Sequence, residues 1–249
     1  RKSDGEYVAV TGNQTGVILL QYILSSYAQL GSMPKNPLVV KTIVTSELAS
    51  RICERYGAQI VNVLTGFKFI GEQIEQCVDT QKNTFVMGYE ESYGYLVGTY
   101  ARDKDGVVAS LLIAEAAAYY RSRGMTLWDA LCEIYAEYGY HMEQTVNLYM
   151  EGLDGKEKMK KLMAQLRDHA PAELGGIAVK EVRDYSKGIL GLPKSDVLYY
   201  VLQDQSVVVV RPSGTEPKVK IYIMVSAKDE QAAQQKVNLL GQDLKQKYL

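Results

Sequence analysis

Three short runs rich in β-branched and apolar residues, "LVVKTIVTS" (38–46), "AQIVNVLTG" (58–66) and "TFVMGYE" (84–90), are separated by segments with apolar residues at helical spacing. Strands that alternate with helices of this length pair in parallel, because each crossover carries the chain back to the same end of the sheet. "TGNQTGVILLQYILSSYAQLG" (11–31) supplies a helix ahead of the first strand, stopping at Gly31. "SELASRICERYG" (46–57) reads as a helix capped by Ser46 and ended by Gly57, and "FKFIGEQIEQCVD" (67–79) as the next. Two more helices follow the third strand, from about Gly106 to Arg123 and from Thr126 to about Tyr138. The expectation is a mixed, mostly parallel α/β/α sandwich.

The pattern changes near residue 140. "HMEQTVNLYMEG" reads as extended and leads into "DGKEKMKKLMAQLRDH", a charged amphipathic helix. Four strands joined by short turns follow, "IAVKEVRDYS", "VLYYVLQ", "SVVVVRPS" and "KVKIYIMVS", before a closing helix. Consecutive strands on short turns pair antiparallel, so a smaller α+β domain is expected from a boundary near residue 148.

The 249 residues suffice for one large or two ordinary domains, and 47% hydrophobic with 23% charged residues is the balance of a folded soluble chain. A net charge of -1 makes no case for nucleic acid as a partner, since that needs an excess basic face. No apolar run reaches membrane-spanning length. Cys53, Cys77 and Cys132 form no CxxC pair; they read as reduced, buried thiols in a cytoplasmic protein. The chain begins at Arg1, and Asp4-Gly5 is a hairpin signal with Tyr7–Val10 as its second strand. The first strand of that hairpin is missing, so the chain reads as a piece of a longer protein.

"VVVVRPSGTEPKVKIYI" is the sharpest local signal. Arg211 can fork onto a phosphate, and the Ser213 and Thr215 hydroxyls with nearby N–H groups can donate to its oxygens. Pro212 stiffens the turn, and Gly214 permits a positive φ or close backbone approach. The same residues also serve an ordinary hairpin whose hydroxyls cap backbone groups.

"GYEESYGYLVGTYARDKDG" follows the third parallel strand, at the sheet end where open α/β folds bind ligands. In extended backbone Glu90 and Glu91 point apart, so they are not a facing acid–base pair; Glu90 and Ser92 share a side, which suits vicinal sugar hydroxyls. A solvated loop is the alternative. An EF-hand register through Asp103 and Asp105 fails, with Ala101 and Leu112 at its end positions; Asp105 suits a helix cap, leaving Arg102 and Lys104 to face an anion or solvent. Lys41 inside an apolar strand is costly unless its ammonium emerges at the strand end. Thr65 can cap the helix after Gly66, whose turn lets a ligand approach. Trp128 reads as core packing, and "KEKMKK" as a solvated helix face. His141 and His169 make neither a nucleophile motif nor a metal site.

Taken in order, "TGNQTG", "VVKTIV", "TGFKF", "GYEESYGY", "RDKDGV" and "RPSGTEPKVKIYI" closely resemble the α-D-phosphohexomutases, nearest the bacterial phosphoglucomutase/phosphomannomutase branch. The resemblance spans the whole chain. It implies a four-domain enzyme around a central cleft, with residues 1–20 the tail of domain two, 21–147 an α/β sugar-binding domain three, and 148–249 a phosphate-binding domain four like the TATA-binding-protein fold. By that resemblance Glu90 and Ser92 hold adjacent hexose hydroxyls, Gly66 lines the sugar, and Lys41 lies near the reacting centre. Arg211, Ser213, Gly214 and Thr215, helped by Lys104, grip the non-reacting phosphate.

The family passes a phosphoryl group between a phosphoserine and a hexose phosphate, through a glucose 1,6-bisphosphate type of intermediate that turns around in the cleft. The phosphoserine loop and the carboxylate loop that would hold Mg²⁺ are absent from these 249 residues. The expectation is therefore the C-terminal half of a phosphohexomutase that binds hexose phosphate, needs its N-terminal domains as partners, and catalyses nothing alone. A phosphopentomutase, which shares "DKDG", and a non-catalytic sugar-phosphate-binding module are the alternatives.

Overall fold

The computed structural model describes residues 2, 4–150, 152 and 154–248. It comprises two compact units, Arg1–Gly139 and Tyr140–Leu249.

Unit 1 runs α1 (Gly12–Gln29), β1 (Pro37–Thr42), α2 (Leu48–Tyr56), β2 (Gln59–Val63), α3 (Phe67–Thr80), β3 (Thr84–Glu90), β4 (Gly94–Val97), α4 (Gly106–Ser122) and α5 (Leu127–Tyr138). Its sheet has the order β2-β1-β3-β4, with β1 parallel to both β2 and β3. Every residue of β1 is buried, as a central strand covered on both faces demands. Gly88 and Tyr89 show the two faces: a Cβ at Gly88 would collide with Ile70 of α3, whereas the Tyr89 ring lies against Gly16 of α1. On the α3 face Leu38, Val40, Val63 and Phe85 pack with Phe67, Ile70 and Ile74.

The strand β4 was not expected. "ESY" is too short for a crossover, so the chain reverses and β4 pairs antiparallel with β3 along the edge. Tyr93, at φ 65°, makes the reversal. Glu91 to Tyr93 therefore form a turn rather than extended backbone, and the alternation expected to put Glu90 and Ser92 on one side does not apply there.

Three smaller expectations at the unit's start also change. Lys2 and Gly5 close a turn through Lys2 N–H to Glu6 O (2.9 Å) and Gly5 N–H to Lys2 O (3.0 Å), but among the described residues Tyr7–Val10 pairs with no strand. Arg1 lies outside the described residues. A limit at residue 20 would cut through α1, which is one continuous helix started by a reciprocal cap between Thr11 and Gln14. Trp128 is only half-buried, with the Lys2 ammonium 5.5 Å from its ring centre.

Unit 2 runs β5 (Tyr140–Tyr149), α6 (Gly155–Asp168), β6 (Glu173–Leu174), β7 (Ile177–Asp184), β8 (Leu198–Leu202), β9 (Val207–Pro212), β10 (Lys218–Ala227) and α7 (Glu230–Tyr248). The sheet, β5-β10-β9-β8-β7-β6, is antiparallel throughout. On one face Met163 and Leu166 of α6 and Val237 and Leu240 of α7 cover Leu148, Val208, Val210, Ile221 and Ile223, and the alternate residues Tyr199, Val209 and Tyr222 of the other face are buried too. This is the α+β arrangement. The unit begins at Tyr140, ahead of the expected boundary near 148, because β5 pairs along its whole length with β10.

Candidate functional site

The carboxyl ends of β1, β2 and β3 gather the chemistry of unit 1. Gly66, just past β2, has φ 119° and ψ 124°, a conformation that side-chain-bearing residues avoid. It is the N-cap position of α3, and no side chain caps that helix, Thr65 included. Its amide N–H instead donates to Glu90 Oε1 at 3.0 Å. Glu90 ends β3 and is 8% exposed. Its other oxygen stands beside Gly94: a Cβ there would lie 3.0 Å from Glu90 Oε2 and 2.9 Å from Lys104 Cδ. The glycine thus lets the Glu90 carboxylate and the Lys104 stem converge. The Lys104 ammonium is 5.7 Å from the Phe67 ring centre and 3.3 Å from Asp103 Oδ1. Ser92 is exposed in the turn beyond Glu90.

The turn is held by α1. The Tyr95 hydroxyl donates to Gly12 O at 2.8 Å and the Tyr93 hydroxyl to Val10 O at 3.1 Å. Burial pushes the Tyr95 phenol above its ordinary range, against the opposing hydrogen bond with Thr15, so it stays a donor. The Gly12 backbone meets Glu91 O so closely that a Cβ has no room.

Lys41 does not emerge at its strand end. It is fully buried, and its ammonium donates to Thr45 O at 3.0 Å and Glu47 Oε1 at 2.8 Å. Glu47, which the sequence reading passed over, also accepts from the Ser50 hydroxyl at 2.8 Å. It holds the N-cap position expected for Ser46, whose hydroxyl accepts the Leu48 N–H at 3.3 Å. Asn13 of α1 joins this edge by accepting the Ser46 N–H at 3.0 Å. Nearby Cys53 is inert: burial pushes its thiol up to about 12, outweighing the pull of the Lys41 charge. Cys132, by contrast, is exposed rather than buried.

Asp105 caps α4 by accepting the Val107 and Val108 N–H groups, and a hydrogen bond from the Tyr100 hydroxyl leads these in holding its carboxyl below the usual range. Arg102 is not left free for a ligand anion, being paired with the Glu75 carboxylate and bonded to the Thr99 and Ala101 carbonyls.

The second set of candidates lies in unit 2. Arg211 is half-buried on β9, and among the described residues no carboxylate pairs with it. Ser213 N–H donates to Lys218 O at 2.8 Å, closing the loop. The Ser213 hydroxyl oxygen accepts from Thr215 N–H at 3.4 Å and Glu216 N–H at 3.3 Å, and lies 3.5 Å from the Thr215 hydroxyl. Gly214 uses neither freedom expected of it: its φ is not positive, and an added Cβ meets nothing within 4 Å. The loop tip is open to solvent. Glu216 pairs with Lys218 at 2.6 Å, and this bond raises the Lys218 ammonium.

Among the described residues, no group of three or more His, Cys, Asp or Glu side chains could hold a metal ion. No helix among them is long and apolar enough to cross a membrane.

Two family profiles match the chain. That for "Phosphoglucomutase/phosphomannomutase, alpha/beta/alpha domain III" covers residues 11–138, and that for the "C-terminal domain" covers 156–242. The phosphoglucomutase of Staphylococcus aureus strain MRSA252 is 36% identical over 251 residues, which take in 96% of this chain and 44% of that protein. The open form of the Paramecium exocytosis-sensitive phosphoprotein parafusin, a phosphoglucomutase, superposes with a TM-score of 0.65 at 18% identity, over 96% of this chain and 41% of that one. Aspergillus fumigatus N-acetylphosphoglucosamine mutase, solved with GlcNAc-6P and magnesium, gives 0.51 at 12% identity, over 99% and 46%. The structural likenesses speak for the fold, and the chain spans less than half the length of the relatives it matches. On the two profiles together, the chain belongs to the phosphoglucomutase/phosphomannomutase family and carries its domain III and its C-terminal domain.

Proposed function

We propose that this chain is the sugar- and phosphate-gripping part of a phosphohexomutase, an enzyme that interconverts hexose 1-phosphate and hexose 6-phosphate. Glu90 and Ser92 take adjacent sugar hydroxyls, Gly66 lines the sugar, Lys104 helps hold the phosphate that is not reacting, and Lys41, buried and paired with Glu47, braces the edge near the reacting centre. Arg211, Ser213, Gly214 and Thr215 take the phosphate that is not reacting. The observation that carries the proposal is the Glu90 carboxylate: one oxygen is fixed by Gly66 N–H, and the other stands at a glycine-lined edge beside Lys104. A carboxylate oriented in this way can accept from a hydroxyl without reorganising.

Reversal of a bisphosphate between two half-reactions suits contacts made to hydroxyls, because the sugar must be held in two orientations. The phosphoserine loop and the carboxylate loop for Mg²⁺ are read as belonging to the preceding domains of the intact enzyme, and among the described residues no group of three or more His, Cys, Asp or Glu side chains could hold the ion. The chain alone is therefore proposed to bind and not to turn over. Charge-assisted hydrogen bonds contribute about 1.5–3 kcal/mol each at best, and ordering opposes them. Affinity for glucose 1-phosphate should be roughly millimolar.

The test is a titration of the ¹⁵N-labelled chain with glucose 1-phosphate. Shifts at Gly66, Glu90, Ser92 and Arg211 to Thr215 are expected. Their absence would remove the site assignment, and mutase turnover by the chain alone would remove the claim that it only binds.

A further inference from the structure

The Ser213–Glu216 loop has a second wall that the resemblance does not supply. Helix α6 starts hard against the strand end: a Cβ at Gly155 would press on Met150 O and lie 3.1 Å from Pro217 Cβ, while Met150 N–H donates to Pro217 O at 2.8 Å. The first turns of α6 therefore stand beside the loop. Between them is an open cleft of about 280 Å³, lined by Lys156 and Lys160 on one side and Ser213 to Glu216 on the other.

The charge of this cleft is unbalanced. Its two carboxylates are already neutralised, Asp196 by Arg167 at 2.6 Å and Glu216 by Lys218 at 2.6 Å. Lys158, between the two lysines, turns away to Asp154 at 3.1 Å. Lys156 and Lys160 have no ion pair among the described residues, and at i,i+4 they share one helix face and repel each other. Facing them are the Ser213 and Thr215 hydroxyls, each with a proton to donate, while the Ser213, Thr215 and Glu216 N–H groups are spent in holding the loop. Two ammonium groups without an ion pair among the described residues, opposite two hydroxyl donors, form a receptor for a small, doubly charged oxyanion. Arg211 does not line the cleft.

We propose that the cleft between α6 and the Ser213–Glu216 loop is a phosphate-binding site whose cationic wall is Lys156 and Lys160, so that the solvated face of "KEKMKK" is also a ligand-facing one. The inference rests on reading the loop as a phosphate grip, and extends it to residues on a different element. The ligand class is an inorganic or sugar-borne phosphate dianion. Affinity falls with salt, as the attraction is largely between exposed charges.

The experiment is titration of the ¹⁵N-labelled full chain with inorganic phosphate, followed at the Ser213 to Glu216 amides. The wild type, K156Q/K160Q, K156R/K160R and R211Q are compared. Unchanged Val208 and Val210 amides serve as the check on folding. Loss of both lysines is expected to weaken phosphate binding about three- to tenfold, with K156R/K160R restoring it. Wild-type affinity in K156Q/K160Q alongside loss in R211Q would overturn the α6 wall and leave the loop as a phosphate grip. No wild-type response at Ser213 to Glu216 would overturn both.

Discussion

The Lys41 ammonium, without solvent exposure, donates to Glu47 Oε1 at 2.8 Å, while the Glu47 side chain is itself 40% exposed. The pair is lopsided: water can serve the anion alone but not the cation. The two partners should therefore differ on removal. Glu47→Ala strands a buried ammonium and is expected to cost about 2 kcal/mol, below the figure for a pair buried on both sides. Lys41→Met keeps the volume, frees a hydrated carboxylate, and should cost about 1 kcal/mol or less. Urea denaturation followed by Trp128, the chain's one tryptophan and part of α5 in unit 1, reads both. Equal losses would contradict the asymmetry.

Gly12 and Gly106 both begin helices but differ in what surrounds them. A Cβ at Gly12 collides with the Glu91 carbonyl, whereas one at Gly106 meets nothing within 4 Å. Gly12→Ala should cost about 2–3 kcal/mol and move the Glu91 to Tyr93 amides. Gly106→Ala should be neutral or stabilising by up to about 1 kcal/mol. Similar melting for the two variants would mean that the α1 start does not brace the turn.

Glu90→Gln keeps the shape and one oxygen for the Gly66 N–H but removes the charge. Glucose 1-phosphate should bind roughly tenfold more weakly, with inorganic phosphate unaffected at the Ser213 loop. Isothermal calorimetry at matched ionic strength separates the two ligands. Unaltered sugar-phosphate affinity would remove Glu90 from the grip.

Acid should loosen unit 2. Burial of Asp184 raises its carboxyl, but hydrogen bonds from Ser186 and the charge of Arg167, 3.1 Å away, outweigh it and the net shift is downward from 3.8. Asp204 behaves alike: burial is outweighed by Lys236, 2.7 Å away, and by Ser206. A carboxyl lowered on folding stabilises above its unfolded value, and that stability drains as pH falls from about 5 through the folded value. Urea midpoints read from Tyr199 and Val208 amides should drop over that window. Asp184→Asn should flatten the drop while lowering stability at neutral pH.

The layered alternation of unit 1 was legible because parallel strands buried on both faces leave unbroken apolar runs, as in "LVVKTIVTS". The antiparallel sheet was legible from turn spacing. β4 was hidden because its four residues follow a turn whose polar side chains resemble a loop, and only the positive φ of Tyr93 makes the reversal. Glu47 was hidden because it reaches Lys41 around a turn, a spacing with no strand or helix period. Gly66 and Glu90 could each be noticed alone, but nothing in their 24-residue separation says that an amide of one meets the carboxylate of the other. "KEKMKK" was legible as a solvated helix face, since Lys156 and Lys160 are exposed, but i,i+4 charge on a helix carries no record of the Ser213–Glu216 loop that stands opposite.

The pairing of β5 with β10 joins Tyr140–Tyr149 to Lys218–Ala227, the first strand of unit 2 to its last. Its consequence is temporal. During synthesis the β5 edge must wait, with its backbone groups unpaired, until the chain has reached Ala227. Such sequence-distant pairing is slow because loop closure precedes any reward. Refolding of unit 2 should lag behind that of unit 1, and the interval in which β5 stands alone is when this chain is most open to pairing with the wrong strand.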